Sequence, residues 1–390
     1  MFSKEIFEIV SRPIKFLEWT KVFPFSWDEK RNNLILTASR VYSFCSYVYF
    51  VHYALLIWYL LDKLGQELRN ESSVLHVMEI FWLAFLPGGY YLCSDALVGL
   101  FLKRGKMVTF FRWITQFDKV LLHIQGPHYL NRKWFHERLA MLIIQAGIWS
   151  TITADILWIL VYTLKPRSAQ YPYSDWSNEG KPCILNVIAF LAFWAFEFFT
   201  KTVNISAYFF SHTWFLLSIT YLIVGMGTVS KSTDSLRHKL SNYRGLYLIN
   251  VLYNECYHAT LLPCRYLLNA FGIISSGFIL TRFQAKISFP DQVLCLTTFV
   301  AMLAAPLVYL HISGMVLAKS IALCGKLGRF SGERCTRKEM QVLRRDARSI
   351  QPFGIRVGSI KSTSYAALSA FLIQTTSLFT TVLVTFPQKG

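Results

Sequence analysis

Long apolar runs alternate with short basic stretches along this chain. Runs near 33–61, 74–102, 138–164, 183–229, 265–281 and 292–317, and a last one from Ser362 to Gln388, are of the length that crosses a bilayer as a helix, roughly 17 to 25 residues or more. The pattern predicts an all-α membrane protein with seven transmembrane helices. The fourth run is unusually long, and no turn-forming cluster divides it before Gly225-Met226-Gly227. It therefore reads as one helix that projects beyond the bilayer. Glu197 and Lys201 interrupt it four residues apart, on one helical face, where they can pair. Pro87-Gly88-Gly89 in the second run is expected to bend or loosen that helix.

The segments between the runs divide the chain. Residues 1–32 form an amphipathic N-terminus in which Ile6, Phe7, Ile9, Val10, Phe16 and Leu17 suit a membrane surface or the underside of a bundle, with Pro13 expected to interrupt any helix. Residues 33–318 hold the first six spans. A polar segment fills 103–137, and Ser232-Thr233-Asp234 offers a cap for a helix running toward Leu262. Residues 319–361 are the most basic stretch, with a helix marked by Met340, Val342, Leu343 and Ile350. Residues 362–390 carry the last span and a short tail.

The last span has no formal charge and is rich in hydroxyls. Gln374, Ser377, Thr381, Thr385 and Gln388 recur at steps of three and four, which places them on one face of a helix. Such a stripe in a membrane needs a partner. That partner is either water in a pore or a closely packed neighbouring helix, with hydroxyls bonded back to their own carbonyls.

Composition agrees with a membrane protein: 54% of the 390 residues are hydrophobic, with 32 Phe, 20 Tyr and 11 Trp. The net charge of +18 does not mark a nucleic-acid binder, because most basic residues sit between apolar runs. The N-terminus and the 103–137, 229–264 and 319–361 segments carry most of the 40 Lys and Arg. Positive loops stay cytosolic, so the N-terminus reads as inside and the C-terminus as extracellular, in a multi-pass protein of the plasma membrane. Asn70-Glu71-Ser72 is a glycosylation sequon on the outer side, which agrees independently. A second sequon at Asn204 falls within or below the membrane.

Catalytic and metal chemistry find no constellation. The eight cysteines form no CxxC pair, so neither a metal site nor a cofactor is indicated; Cys183 and Cys295 fall near the same membrane face. His311 lacks an acidic partner at a diagnostic spacing, and the chain does not read as an enzyme.

The seven-span order with the N-terminus inside resembles the arthropod chemosensory receptor superfamily of gustatory and odorant receptors. Further likenesses are the long fourth helix, the basic segment with Pro352-Phe353-Gly354-Ile355-Arg356-Val357-Gly358 leading into Lys361, and a last span almost at the C-terminus. The gustatory signature there is Thr-Tyr, five apolar residues, then Gln-Phe. Thr381 and Gln388 stand at that spacing, while Val382 and Lys389 replace the aromatic members, which fits a divergent gustatory-type receptor. The resemblance implies a non-selective cation channel opened by a small-molecule tastant or odorant and assembled as a homotetramer, or a heteromer with related subunits, around the seventh helix. Pore-lining candidates are then Gln374, Ser377, Thr381, Leu383, Val384, Thr385 and Gln388, with an apolar ring gating by dewetting. It also implies a ligand pocket among spans two to six. There Glu79, Trp82, Asp155, Trp158, Tyr162, Phe193, Trp194, Glu197 and Phe278 combine a few polar groups with aromatic walls. The basic 319–361 segment becomes a cytosolic anchor, in contact with lipid or with other subunits. A multi-span transporter, or a G-protein-coupled-like receptor without a pore, is the alternative.

Overall fold

The computed structural model describes residues 4–37, 39–69, 77–168, 170–176, 183–257, 263–329, 336–357 and 361–386, with the side chains of 121–136 outside the description. The sequon residue Asn70 and the tail residue Gln388 lie outside the described residues. The chain is all-helical apart from two short hairpins. Helix α1 (Lys4–Trp19) leads into strands β1 (Phe25–Asp28) and β2 (Asn33–Leu36). Helices α2 (Arg40–Arg69), α3 (Val77–Leu102), α4 (Arg104–Leu164), the single turn α5 (Tyr173–Trp176), α6 (Cys183–Lys231) and α7 (Leu236–Tyr257) follow. The rest is α8 (Pro263–Arg282), a 3-10 turn, α9 (Phe289–Gly328), α10 (Arg337–Ser349), β3 (Arg356–Val357), β4 (Lys361–Ser362) and α11 (Tyr365–Thr385).

Among the described residues, six helices are long and apolar enough to cross a membrane: α2, α3, the Glu137–Leu164 part of α4, α6, α9 and α11. α8, the expected fifth span, carries Arg265, Asn269 and Arg282 and is not among these six. It packs along α9 and α11 in the same bundle.

Several boundaries differ from expectation for identifiable reasons. The first span begins at Arg40, because 33–36 pairs as β2 with β1, Phe25 opposite Leu36 and Asp28 opposite Asn33. Asp28 Oδ1 accepts the Lys30 and Arg31 amides, and Asn32 adopts the left-handed φ of 45° that Asn tolerates in tight turns. α1 runs through Pro13. Its Ile6, Val10, Ile14 and Leu17 are buried, and seating that face outweighs one lost backbone bond. α3 likewise continues through Pro87-Gly88-Gly89. Gly88 is where Leu268 of α8 approaches so closely that a Cβ would lie 2.3 Å from its Cδ1. The cap of α7 is Ser235, whose Oγ accepts the His238 amide, rather than residues 232–234. Cys295 is a free thiol set against the Met78 thioether at 3.8 Å. The fourth span is one helix of 49 residues, as its lack of turn formers requires.

The polar 103–137 segment is helical and continuous with the third span in α4. α4 nevertheless reverses direction. Phe111 stacks on Trp214 at 4.8 Å, and a Cβ on Gly147 would fall 2.1 Å from Oγ1 of the adjacent Thr213. A straight helix would hold Phe111 and Gly147 about 50 Å apart. The segment is thus the descending arm of a hairpin, laid on α7 through Phe117 and Gly245 and through Lys106–Glu255 at 2.9 Å.

Candidate functional site

Four helices converge on the charged step in α6. Glu197 and Lys201 form an ion pair at 3.2 Å with both side chains almost fully buried. Lys201 Nζ lies 3.9 Å from the ring centre of Tyr90 on α3 and 5.6 Å from that of Trp158 on α4. Desolvation at such a site strengthens cation–π attraction. From α2, Tyr49 and Tyr53 donate to the Thr200 carbonyl at 2.6 and 3.0 Å. Around the pair lie Trp158, Tyr162, Tyr171, Tyr173, Phe190, Phe193 and Trp194, in which Tyr162 meets Tyr171 edge-on at 4.7 Å and stacks on Phe190. The Tyr162 and Tyr171 hydroxyls and the Trp158 indole N–H are buried without a hydrogen-bond partner among the described residues. These donors in aromatic walls suit recognition of a small organic molecule with an acceptor group.

The expected ligand residues therefore divide. Trp158, Tyr162, Phe193, Trp194 and Glu197 are gathered in this nest. Asp155, one turn below Trp158, lines a separate cavity with α1. Trp82 packs on Phe81 and Phe85, and Phe85 lies with Met302 over Gly272 of α8. Glu79 is half-buried beside Met78 at the α9 contact. Phe278 packs against Phe283 and Phe386 near the end of α11. Sequence reasoning missed Lys201, Tyr90, Tyr49, Tyr53 and Tyr171 as members of the nest. The pairing of Lys201 with Glu197 and the aromatic character of the four tyrosines were visible, but their gathering around one carbonyl and one ammonium depends on the tertiary arrangement.

α11 rests on α8 and α9 through Phe371 and Thr375, which are buried, and through half-buried Leu368, Leu372 and Phe379. Its opposite face carries Gln374, Ser377, Thr381, Val384 and Thr385, all exposed on the single chain. Val384 is 74% exposed. Thr381 Oγ1 donates to the Ser377 carbonyl at 2.9 Å, which satisfies one hydroxyl and leaves its lone pairs outward. Leu383 falls between the two faces, half-buried, and its carbonyl accepts from Arg282 Nη2 at 2.7 Å. That bond ties the end of α11 to the end of α8.

The other end of α11 is held by a polar layer. Tyr243 of α7 donates to the Gln351 carbonyl at 2.8 Å and lies 3.0 Å from Ser320 Oγ of α9. Ser320 Oγ accepts the Phe353 amide at 2.8 Å. Asn250 and Asn254 both donate to the Gly354 carbonyl, at 3.2 and 3.1 Å. The Thr363 amide reaches the Ile355 carbonyl at 2.7 Å. Burial pushes the Tyr243 hydroxyl pKa well above its usual value, so it stays a neutral donor.

Helices meeting at a buried ion pair, one 49-residue helix and a final helix docked on two others make an architecture that solved structures of an insect olfactory receptor share at the level of fold. The olfactory receptor OR5 from Machilis hrabei superposes with a TM-score of 0.69 over 97% of both chains at 13% identity. The same receptor in complex with eugenol superposes with a TM-score of 0.63 over 98% of this chain and 99% of that one, at 11% identity. No protein-family profile and no curated protein matches the sequence.

Proposed function

We propose that this chain is a subunit of a chemosensory receptor of the plasma membrane, a cation channel opened by a small organic molecule. The observation that carries the proposal is the outward face of α11. Five polar or small apolar side chains, Gln374, Ser377, Thr381, Val384 and Thr385, are turned away from the subunit's own core. One such face cannot enclose water, but four around an axis can, which favours a homotetramer or a heteromer with related chains. Hydroxyl rings would solvate a passing cation, and Val384 would close the path by dewetting. α8 is the fifth of seven spans in this reading, with the N-terminus cytosolic. The aromatic nest near Glu197 and Lys201 is the ligand site, and the eugenol-bound fold neighbour supports a ligand of comparable chemistry. Those neighbours are olfactory receptors. The gustatory reading rests on the half-signature Thr381 and Gln388.

Ligand binding in the nest acts by population shift, through tighter binding to the open state. The α7–α9–β3 layer carries the change to the start of α11. The cluster of buried charges also favours a transporter reading, in which flux would saturate and no unitary current would appear. Whole-cell recording with substituted-cysteine accessibility separates the two. Under the channel reading, ligand evokes current that a hydrophilic thiol reagent blocks in Ser377→Cys, Thr381→Cys and Thr385→Cys, but not in Thr375→Cys. Saturable flux without current would defeat it.

A further inference from the structure

A cavity of about 370 Å³ lies apart from the aromatic nest, between α1, α4 and α6. Its volume falls within the range of small-molecule sites. Ile144, Ile148, Ile152, Phe209, Phe210 and Trp214 form most of its wall, and Arg12, Thr151, Asp155, Ser206 and Thr213 supply the polar atoms. The wall exists because Gly147 lets α4 close onto Thr213; beyond that contact the two helices leave a space that α1 roofs with Val10, Pro13 and Phe16.

Two observations say what fills it. The α4 surface outside the cavity shows Leu142, Trp149 and Ile156 exposed, the surface of a helix that meets acyl chains. α1 buries one face in the protein but leaves Phe16 at 43% and Trp19 at 70% exposure, as residues seated at a membrane interface are. Arg12, at the cavity rim, is exposed and makes no ion pair among the described residues, not even with Glu8 one turn away. Lys15 is already engaged by Glu29.

We propose that this cavity is a lipid site: an anionic phospholipid of the cytosolic leaflet places its phosphate on Arg12 and one acyl chain along Ile148 and Ile144. Asp155 lies in the same wall, about two helical turns from Ile148, and marks where the apolar path ends. The assignment of leaflet rests on the cytosolic N-terminus proposed above. The site itself depends only on α1 lying at an interface.

The test uses purified full-length receptor in vesicles of phosphatidylcholine containing a trace of phosphatidylserine with a photoreactive group in its acyl tail, and in parallel the matching phosphatidylcholine probe. Mapping the label by mass spectrometry should place it on peptides covering 144–155 and 206–217. Arg12→Gln should lower phosphatidylserine labelling about five-fold, the contribution of one basic residue near an anionic surface, and leave phosphatidylcholine labelling unchanged. Arg12→Lys should retain most of it, and Thr151→Trp, filling the cavity, should remove both. Label outside those peptides, or equal labelling by the two probes that Arg12→Gln leaves alone, would overturn the proposal. So would displacement of the tail by an apolar amine in a manner abolished by Asp155→Asn, which would make this an amine site. Protease access to an N-terminal tag on sealed vesicles reports the orientation separately, so a wrong leaflet is not confused with a wrong site.

Discussion

Asn254 holds Arg356 at the entrance to the last helix: its Oδ1 accepts the Arg356 amide at 2.8 Å. Its Nδ2 meanwhile donates to the Gly354 carbonyl. One amide on α7 thus fixes both polar groups of the loop that leads, through β3 and β4, to α11. Both bonds are largely shielded from water, so their loss leaves unsatisfied backbone. Asn254→Ala should destabilise the protein by about 1–3 kcal/mol and, under the proposed function, shift ligand activation to higher concentration. Thermal melting and a dose–response curve at matched surface expression measure the two effects. Unchanged activation in a destabilised protein would mean the layer is a scaffold rather than a link.

The Glu197–Lys201 pair gives a second expectation. Removing one member strands the other, so Lys201→Met should cost about 3–5 kcal/mol and reduce surface expression. The double variant Glu197→Gln with Lys201→Met should recover most of that loss. Quantified surface biotinylation of the two singles and the double tests this. Equal loss in all three would show the pair contributes nothing as a pair.

The tether from Arg282 to the Leu383 carbonyl restrains the C-terminal end of α11. Arg282→Gln should shorten the reach and raise spontaneous current several-fold, about the effect of one charge-assisted hydrogen bond near 1.5 kcal/mol. Val384→Ser should raise it too, by wetting the narrow ring. Basal conductance normalised to surface protein is the readout, and Val384→Ile supplies the conservative control.

pH should act on α10. Thr336 and Glu339 form a reciprocal N-terminal cap, with the Glu339 amide on Thr336 Oγ1 and the Thr336 amide on the Glu339 carboxylate. The bonds from Thr336 lower the Glu339 pKa below its ordinary value. A carboxylate depressed in the folded state contributes its stability above its unfolded pKa and loses it as pH falls through the folded one. Protection of the 337–349 amides, their exchange rate relative to the unstructured rate at the same pH, should therefore be high at neutral pH and fall only in the acid range below the usual glutamate pKa. Thr336→Ala should weaken the helix by about 1 kcal/mol at neutral pH.

Span positions were readable from the sequence because apolar length alone specifies them. The fourth span is the clearest case. The absence of Gly or Pro between Cys183 and Gly225 favoured one helix over two spans. Tertiary packing overrode local signals elsewhere. Pro13 and Pro87 sit inside helices whose buried faces hold them, and the β1–β2 hairpin took Asn33 to Leu36 from an apolar run through an Asx turn four residues long. The i, i+4 spacing disclosed the Glu197–Lys201 pair, yet nothing in the spacing disclosed Tyr90 beneath the ammonium. The expected ligand set was drawn from depth in the membrane. Depth does not report which way a helix faces, which is why Trp82 and Phe278 turned to other neighbours while Asp155 went to a second cavity.

The doubling back of α4 has a consequence for biogenesis. Its descending arm gains its partners on α6 and α7, Trp214 against Phe111 and Gly245 against Phe117, only more than a hundred residues later in synthesis. Until then Phe111 has Phe7 and Trp27 beside it, while Phe117 waits for α7 in a half-made chain. Chaperone capture of the nascent chain should fall sharply once translation passes Tyr257, where α7 is complete.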